Sequence, residues 1–393
     1  MMSGGQLLGR LAGHRDAVLT CIADGRHQIL SGSEDGTVCS FDVRAQQVVQ
    51  RLRVGSGEEA VPSVRLHATD EHRVFACAGS VAYEVDLRKG DGAAVQQWDY
   101  NSEEVNQLAV NARGTFLAAA DDAGEVKVID LRTGKLHKTL RHVHDNICST
   151  VAFRPHRPWE VVSGGLDSKL VQWDFGSGKA KRIWRSGGEA ASLDGQIFNP
   201  PLVHSMAVPA TDARPFTRLA VAARGDGNIV VYDLDAECSS DSSSSKSKRG
   251  MQRQRHAEQH QTQPRLCILG REQGGHQAAV NHVSFVEASQ GRQLLSGGND
   301  KQVLLWNWPA AVSPERSTVD WQAGQPEAKE AEPPAIALAG LSLEEGQATD
   351  KPLLACRISH GRKVNCVTSV GSSFVQTVFV ADVSKKIAMY IVH

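Results

Sequence analysis

The sequence predicts an all-β protein built by repetition, and three observations carry that prediction. A strand ending returns on a fixed interval: FDVR begins at residue 41, VDLR at 85, IDLR at 129 and WDFG at 173, each 44 residues after the one before. Short apolar runs with period-two alternation and β-branched residues are separated by Gly and Asp, the pattern of strands joined by tight turns. One internal spacing also occurs in three copies: Ser31, Asp35 and Phe41 stand four and six residues apart, as do Ser163, Asp167 and Trp173, and Ser296, Asp300 and Trp306. A period this short builds one closed or stacked body, so a length of 393 residues does not imply two or three separate domains.

The units follow in order. The clearest, LAGHRDAVLTCIADGRHQILSGSEDGTVCSFDVR (11–44), opens on Gly-His and runs through three alternating apolar stretches; 142–174 and 275–307 repeat it most completely. Weaker copies fill the gaps: 61–88 ends in Val85-Asp86, 105–131 carries Asp121-Asp122, 203–234 carries Asp226, and 360–392 opens on HGRKVNCV and carries Asp382. With their outer strands the seven units are expected at about 11–52, 61–98, 105–140, 142–184, 203–269, 275–357 and 360–393. The last unit stops just after its third strand, while a spare apolar piece, Gln6–Leu11, precedes the first Gly-His. An open strand edge invites aggregation and ring closure removes it. Gln6–Leu11 is therefore expected to pair with the strand around Ile387–Ile391 and complete the seventh unit.

Two segments break the pattern. Residues 235–264 are rich in Ser, Gln and His, and 309–351 in Pro, Glu and Ala; both hold too little apolar content to offset chain ordering and are expected to be disordered loops inside units five and six. Within the first, the basic run KSKRGMQRQR (246–255) has the composition of a nuclear-import signal, Ser239–Ser245 offers phosphorylation sites, and His256 and His260 have metal-ligand spacing but no third ligand nearby.

Composition narrows the function class. Net charge is −1, against the basic excess that phosphate neutralisation requires, so nucleic acid is not an expected partner. The eight cysteines form no CxxC pair, which argues against zinc, and Cys21, Cys39, Cys148 and Cys366 sit in apolar runs as small hydrophobes. No apolar stretch has membrane-spanning length and the N-terminus lacks a signal-peptide core. These features lead us to expect a soluble intracellular protein, cytoplasmic or nuclear, without metal or cofactor.

The Gly-His openings, the Trp-Asp closings and the repeated Ser-Asp-Trp spacing resemble the WD40-repeat family. The resemblance implies a seven-bladed β-propeller of four-stranded blades, closed by pairing of the N-terminal strand with the last blade. It also implies a structural hydrogen-bond network in each complete blade: His14, Ser31, Asp35 and Phe41; His144, Ser163, Asp167 and Trp173; His276, Ser296, Asp300 and Trp306. Such sets look like Ser-His-Asp hydrolase parts. A nucleophile repeated in several blades is not an active site, however, and no phosphate-binding GxxxxGK[ST] loop occurs, so no catalytic residue is expected.

Arg44, Arg88 and Arg132 each fall two residues after the aspartate that ends a third strand, so they are expected on one face of three adjacent blades. Each could pair with Asp42, Asp86 or Asp130 as a surface salt bridge. Alternatively, they form a row of guanidinium groups offered to another protein. Stretches such as LAAADDAGEVKVIDLR (117–132) resemble the docking box of substrate receptors for cullin-4 RING ubiquitin ligases, whose arginine contacts the damaged-DNA-binding-protein adaptor. The Trp of that box is replaced by Phe41, Val85 and Ile129, and the blade with a true Trp-Asp carries Gly176 in place of Arg. The expected protein is a non-enzymatic scaffold, a monomer within a hetero-complex. It is either a ligase receptor with this adaptor as partner or a general assembly scaffold.

Overall fold

The computed structural model describes residues 4–24, 28–89, 94–186, 199–213, 216–236, 265–311, 353–371 and 375–392. They form seven four-stranded antiparallel sheets. Blade one shows the plan: Val18–Ala23, Gln28–Ser33, Thr37–Asp42 and Gln47–Arg53 pair in sequence order. The buried residues fall in the first three strands, while the fourth is largely exposed, so each sheet stands with one edge inward and one outward.

The first strands, Val18–Ala23, Val64–Leu66, Val105–Val110, Cys148–Phe153, Val203–Ala207, Val280–Phe285 and Val364–Gly371, each contact the first strands of the blades on either side, and the cycle of contacts is complete. They line the centre of a ring. Seven apolar clusters fill the seven seams between neighbouring blades, so the core is a set of interfaces with no single centre.

An inner strand has no further strand to pair with, and its inward N–H and C=O groups need partners. Side chains of the preceding blade supply them. The amides of Leu108, Val151, Met206, Val283 and Val367 donate to Ser63 Oγ (3.1 Å), Gln107 Oε1 (2.8 Å), Thr150 Oγ1 (3.1 Å), Ser205 Oγ (3.5 Å) and His282 Nδ1 (3.3 Å). In the other sense, Asn106, Asn281 and Asn365 donate to the carbonyls of Cys148 (3.3 Å), Val364 (2.7 Å) and Val18 (2.9 Å), and the Cys366 thiol to that of Cys21 (3.4 Å).

Closure follows the sequence expectation. Gln6–Ala12 pairs antiparallel with Lys386–Val392, with Gln6 opposite Ile391 and Leu11 opposite Ile387. Leu11 is fully buried in the seam between blades seven and one, against Phe379, Ile387 and Phe41. The described cysteines are all free thiols. Both insertions leave between a third and a fourth strand, after Ile229–Asp233 and after Gln302–Trp306. The order reaches slightly further than composition suggests: Asp235 is held by Arg154, and a 3-10 turn covers Trp308–Ala311. The rest of the insertions, with the basic run, Ser239–Ser245, His256 and His260, lies outside the described residues.

Truncating Leu11 removes a fully buried side chain from the closing seam. Leu11→Ala should lower the unfolding free energy by about 2–5 kcal/mol. Leu8→Ala, three residues earlier on an exposed position, should change it by less than about 0.5 kcal/mol. Denaturant melts of the two variants test this.

Candidate functional site

Two faces of the ring carry distinct constellations. One is formed by the loops entering each blade and by the turns between second and third strands. Here His144 Nε2 shares a hydrogen bond with Ser163 Oγ (2.8 Å), the Trp173 indole N–H donates to the same oxygen (2.8 Å), and His144 Nδ1–H donates to Asp167 (3.0 Å). Asp167 also accepts the Asp145 amide (3.0 Å), tying the entry loop to the turn. Blade six repeats the set with His276 to Ser296 (2.8 Å), Trp306 to Ser296 (2.9 Å) and His276 to Asp300 (2.9 Å). Blade one keeps His14 to Ser31 (2.6 Å) and His14 to Asp35 (3.3 Å), but Phe41 has no donor, and Thr37 and Arg51 bind the carboxylate instead. Ser31, Ser163 and Ser296 are fully buried, so none of these hydroxyls can reach a substrate.

The opposite face holds the turns between third and fourth strands. Asp42 accepts the amides of Arg44 (2.7 Å) and Ala45 (3.0 Å); Asp86 and Asp130 accept those of Arg88 (2.9 Å) and Arg132 (2.9 Å). The aspartate thus shapes a tight turn through its own side chain, and the arginine two residues on is carried outward by it. In blade four Asp174 accepts the Gly176 amide (3.0 Å), so the same turn forms without an arginine. Arg88 grips Asp86 with two prongs, Nε to Oδ1 (2.9 Å) and Nη2 to Oδ2 (2.6 Å), and its side chain is still 56% exposed. The Arg132 guanidinium lies 3.5 Å from Asp130 and is 71% exposed. Arg44 is exposed as well. All three arginines therefore stand on equivalent turns of blades one, two and three. Arg88 holds the Asp86 carboxyl far below the usual carboxylate range.

Comparison with known proteins agrees with this geometry. The family model for the WD domain, G-beta repeat, matches residues 5–42 and 268–307, and that for the anaphase-promoting complex subunit 4 WD40 domain matches 62–154. A crystal structure of the WD40 β-propeller domain of Doa1 superposes with a TM-score of 0.65 over 99% of this chain and 97% of that one, at 14% identity. The chain is a WD40-repeat propeller. It is similar over nearly its whole length to the WD repeat-containing protein 53 homolog of Dictyostelium discoideum, at 24% identity over 97% of this chain and 93% of that protein. WD repeat-containing protein ATCSA-1 of Arabidopsis thaliana is 22% identical over 73% of the chain and 64% of its own length. DNA damage-binding protein CMR1 of Kluyveromyces lactis is 26% identical over 37% of the chain and 31% of its own length.

Several groups in this WD40 propeller escape motif reading. Blade seven fastens its loop through His360, which bonds Tyr390 Oη (2.8 Å) and Asp382 (2.7 Å), a tyrosine serving where other blades use tryptophan. In blade three Asn101 Nδ2 donates to Asp121 (2.7 Å) and takes the histidine's part. On the arginine face, Trp159 is 50% exposed and packs against Phe175, Phe116 and His137, with Leu136 exposed beside them. Arg154, buried, binds Glu160 (2.6 Å) and Asp235 (2.9 Å) and so locks blade four to the start of the insertion in blade five. No helix among the described residues is long and apolar enough to cross a membrane, and no group of three metal-ligating side chains occurs among them.

The complete blades differ electrostatically. Burial opposes charge on His144, but Cys148 and the hydrogen bond to Asp167 outweigh it and raise the imidazole to about 9. Burial would raise Asp167, but His144 brings it down to about 2. Burial lowers His14 and outweighs Asp35, and Arg51, which shares that carboxylate, adds to the lowering. A histidine raised on folding from 6.5 adds stability present below that pH and lost as pH rises through about 9. A carboxylate lowered from 3.8 adds stability present above that pH and lost as pH falls through about 2. The stability difference between the native chain and Asp167→Asn should therefore be flat between pH 3.8 and 6.5 and shrink on both sides, as read from denaturant melts across pH.

Proposed function

We propose that this WD40 propeller is a substrate-receptor subunit that docks to the damaged-DNA-binding-protein adaptor of cullin-4 RING ubiquitin ligases through the arginine face of blades one to three. The fold itself supports a protein-interaction role. The observation that carries the finer reading is the Asp-Leu-Arg turn of blade two. Asp86 holds the Arg88 fork in one orientation while leaving more than half of the side chain accessible. A guanidinium held in place loses little freedom on binding, and arginine presented this way is typical of interface hot spots. Arg132 adds a more exposed fork on the next blade, and the half-exposed Trp159 cluster supplies apolar contact on the same face. The long insertions leave this face from blades five and six, and blades one to three carry none between their third and fourth strands.

A second reading has its own support: the Arg88–Asp86 pair is self-sufficient, and an exposed ion pair of this kind contributes little to stability whatever its partner. On that reading the propeller is a general assembly scaffold without a ligase link. Neither reading assigns it catalysis.

The two diverge on one experiment. Arg88→Ala combined with Arg132→Ala should abolish co-purification of the adaptor while the melting temperature moves by no more than about 2 °C, since both side chains are largely exposed. Retained adaptor binding in the double variant overturns the docking assignment. Partners recovered from the native chain without the adaptor favour the general scaffold.

A further inference from the structure

On the opposite face, at the outer rim of blade one, a cavity of about 300 Å³ is lined by Arg15, Asp35, Thr37, Arg51, Arg53 and Gly57. Three guanidinium groups face one carboxylate. The carboxylate is already occupied: Asp35 accepts the Arg15 amide (2.6 Å), the Thr37 amide (3.1 Å) and hydroxyl, and Arg51 Nη2 (2.7 Å), beside His14. Arg51 is therefore spoken for. The side chains of Arg15 and Arg53 are exposed and have no acidic partner among the described residues. Asp16, next to Arg15, and Glu34 and Glu58, next to Asp35 and Gly57, do not line the cavity.

Comparison with the other complete blades shows that the loop fastening does not need these arginines. Where blade one has Arg15 after the histidine, blade four has Asp145 and blade six Gln277, and each gives its amide to the turn carboxylate as Arg15 does. Arg53 sits opposite Thr37 on the outer strand; the matching pairs are Lys169 with Arg185 and Gln302 with Ser359. Arg51 sits opposite Cys39, where blade four pairs Val171 with Ile183. Of these three blades, blade one alone gathers three arginines at one rim. The floor is cut to suit them: Gly57 has φ +75°, and a Cβ there would meet the Arg53 stem at 3.1 Å.

We propose that this cavity is a binding site for a phosphate monoester. The residual charge of the lining is that of two unpaired guanidinium groups. A phosphate monoester carries roughly −1.5 to −2 at neutral pH and presents three acceptor oxygens, enough for both forks at once. A carboxylate would satisfy one fork and leave the other. The volume lies at the low end of small-molecule sites, which span about 300–1,000 Å³. It suits a phosphorylated side chain or a small free phosphate and not a dinucleotide. The site lies across the ring from Arg88 and Arg132 and does not depend on the docking role proposed for them.

The test is isothermal titration of the full chain, at matched ionic strength, with three probes: acetyl-Gly-phosphoserine-Gly-amide, the same peptide with aspartate in place of phosphoserine, and inorganic phosphate. The phosphopeptide should bind, and the aspartate peptide should bind at least about tenfold more weakly. Arg15→Gln and Arg53→Gln, each keeping an apolar stem, should each weaken the phosphopeptide by about tenfold, while Arg88→Ala leaves it unchanged. Inorganic phosphate binding as tightly as the phosphopeptide, with the same dependence on Arg15 and Arg53, supports the site and identifies a free small phosphate as its ligand. Absence of binding at millimolar concentration overturns the proposal. So does affinity that survives in the Arg15→Gln, Arg53→Gln double variant, or equal affinity for the aspartate peptide.

Discussion

The structure depends on how seven inward-facing sheet edges are satisfied. A strand at a sheet edge exposes a row of N–H and C=O groups, and in a ring those edges converge where no further strand fits. Here blades two to seven each lend side chains to the next, blade seven to blade one. Ser63, Gln107, Thr150, Ser205 and His282 accept amides across successive seams, and Asn106, Asn281 and Asn365 donate to carbonyls. Each blade is therefore incomplete alone, both in its inner edge and in its half of an apolar seam. The ring accordingly gains from closing fully, and the pairing of Gln6–Ala12 with the last strand joins the two ends of the chain in one sheet.

In blades one, four and six the fastening of loop to blade turns on one carboxylate, which other groups claim to different degrees. Asp167 bonds His144 at 3.0 Å, and that histidine is raised. Asp35 is shared with Arg51 and Thr37, sits at 3.3 Å from His14, and that histidine is lowered. The loss of tryptophan at Phe41 points the same way: the ring of Phe41 packs under Gly13 and gives Ser31 no indole donor. Blade one has thus drawn its carboxylate away from the fastening and toward the rim, where Arg15 and Arg53 gather.

Sequence reading recovers the parts of this molecule in which one chemistry recurs at one spacing. The Ser-Asp-Trp intervals placed the turns and third strands of blades one, four and six, and the apolar Gln6–Leu11 found its partner because the seventh unit was one strand short. The inner-edge bonds escaped for the opposite reason. Serine, threonine, glutamine and histidine all serve at equivalent positions there, since a backbone amide can donate to any of them, and no motif results. The same holds for Asn101 in the place of a histidine and Tyr390 in the place of a tryptophan. Trp159 reads as a core residue by type, and only its place in the turn before Glu160 leaves it half exposed. The rim cavity assembles residues from an entry loop, a turn and an outer strand, 42 positions apart from Arg15 to Gly57, and nothing local marks it.

The two faces differ in how an arginine is prepared for use. On the arginine face the aspartate two residues earlier serves twice: its side chain folds the turn through an amide and, in blade two, holds the guanidinium that the turn presents. Charge there is balanced locally, so any affinity must come from directed hydrogen bonds and from nearby apolar surface such as Trp159. On the rim of blade one the carboxylate that lines the cavity is consumed by backbone amides, Thr37 and Arg51, and the lining is left with excess positive charge. Locally neutral forks favour geometric recognition of a protein surface, whereas uncompensated forks favour a small multivalent anion. The same residue type, placed on opposite sides of one ring, is thereby prepared in two different ways.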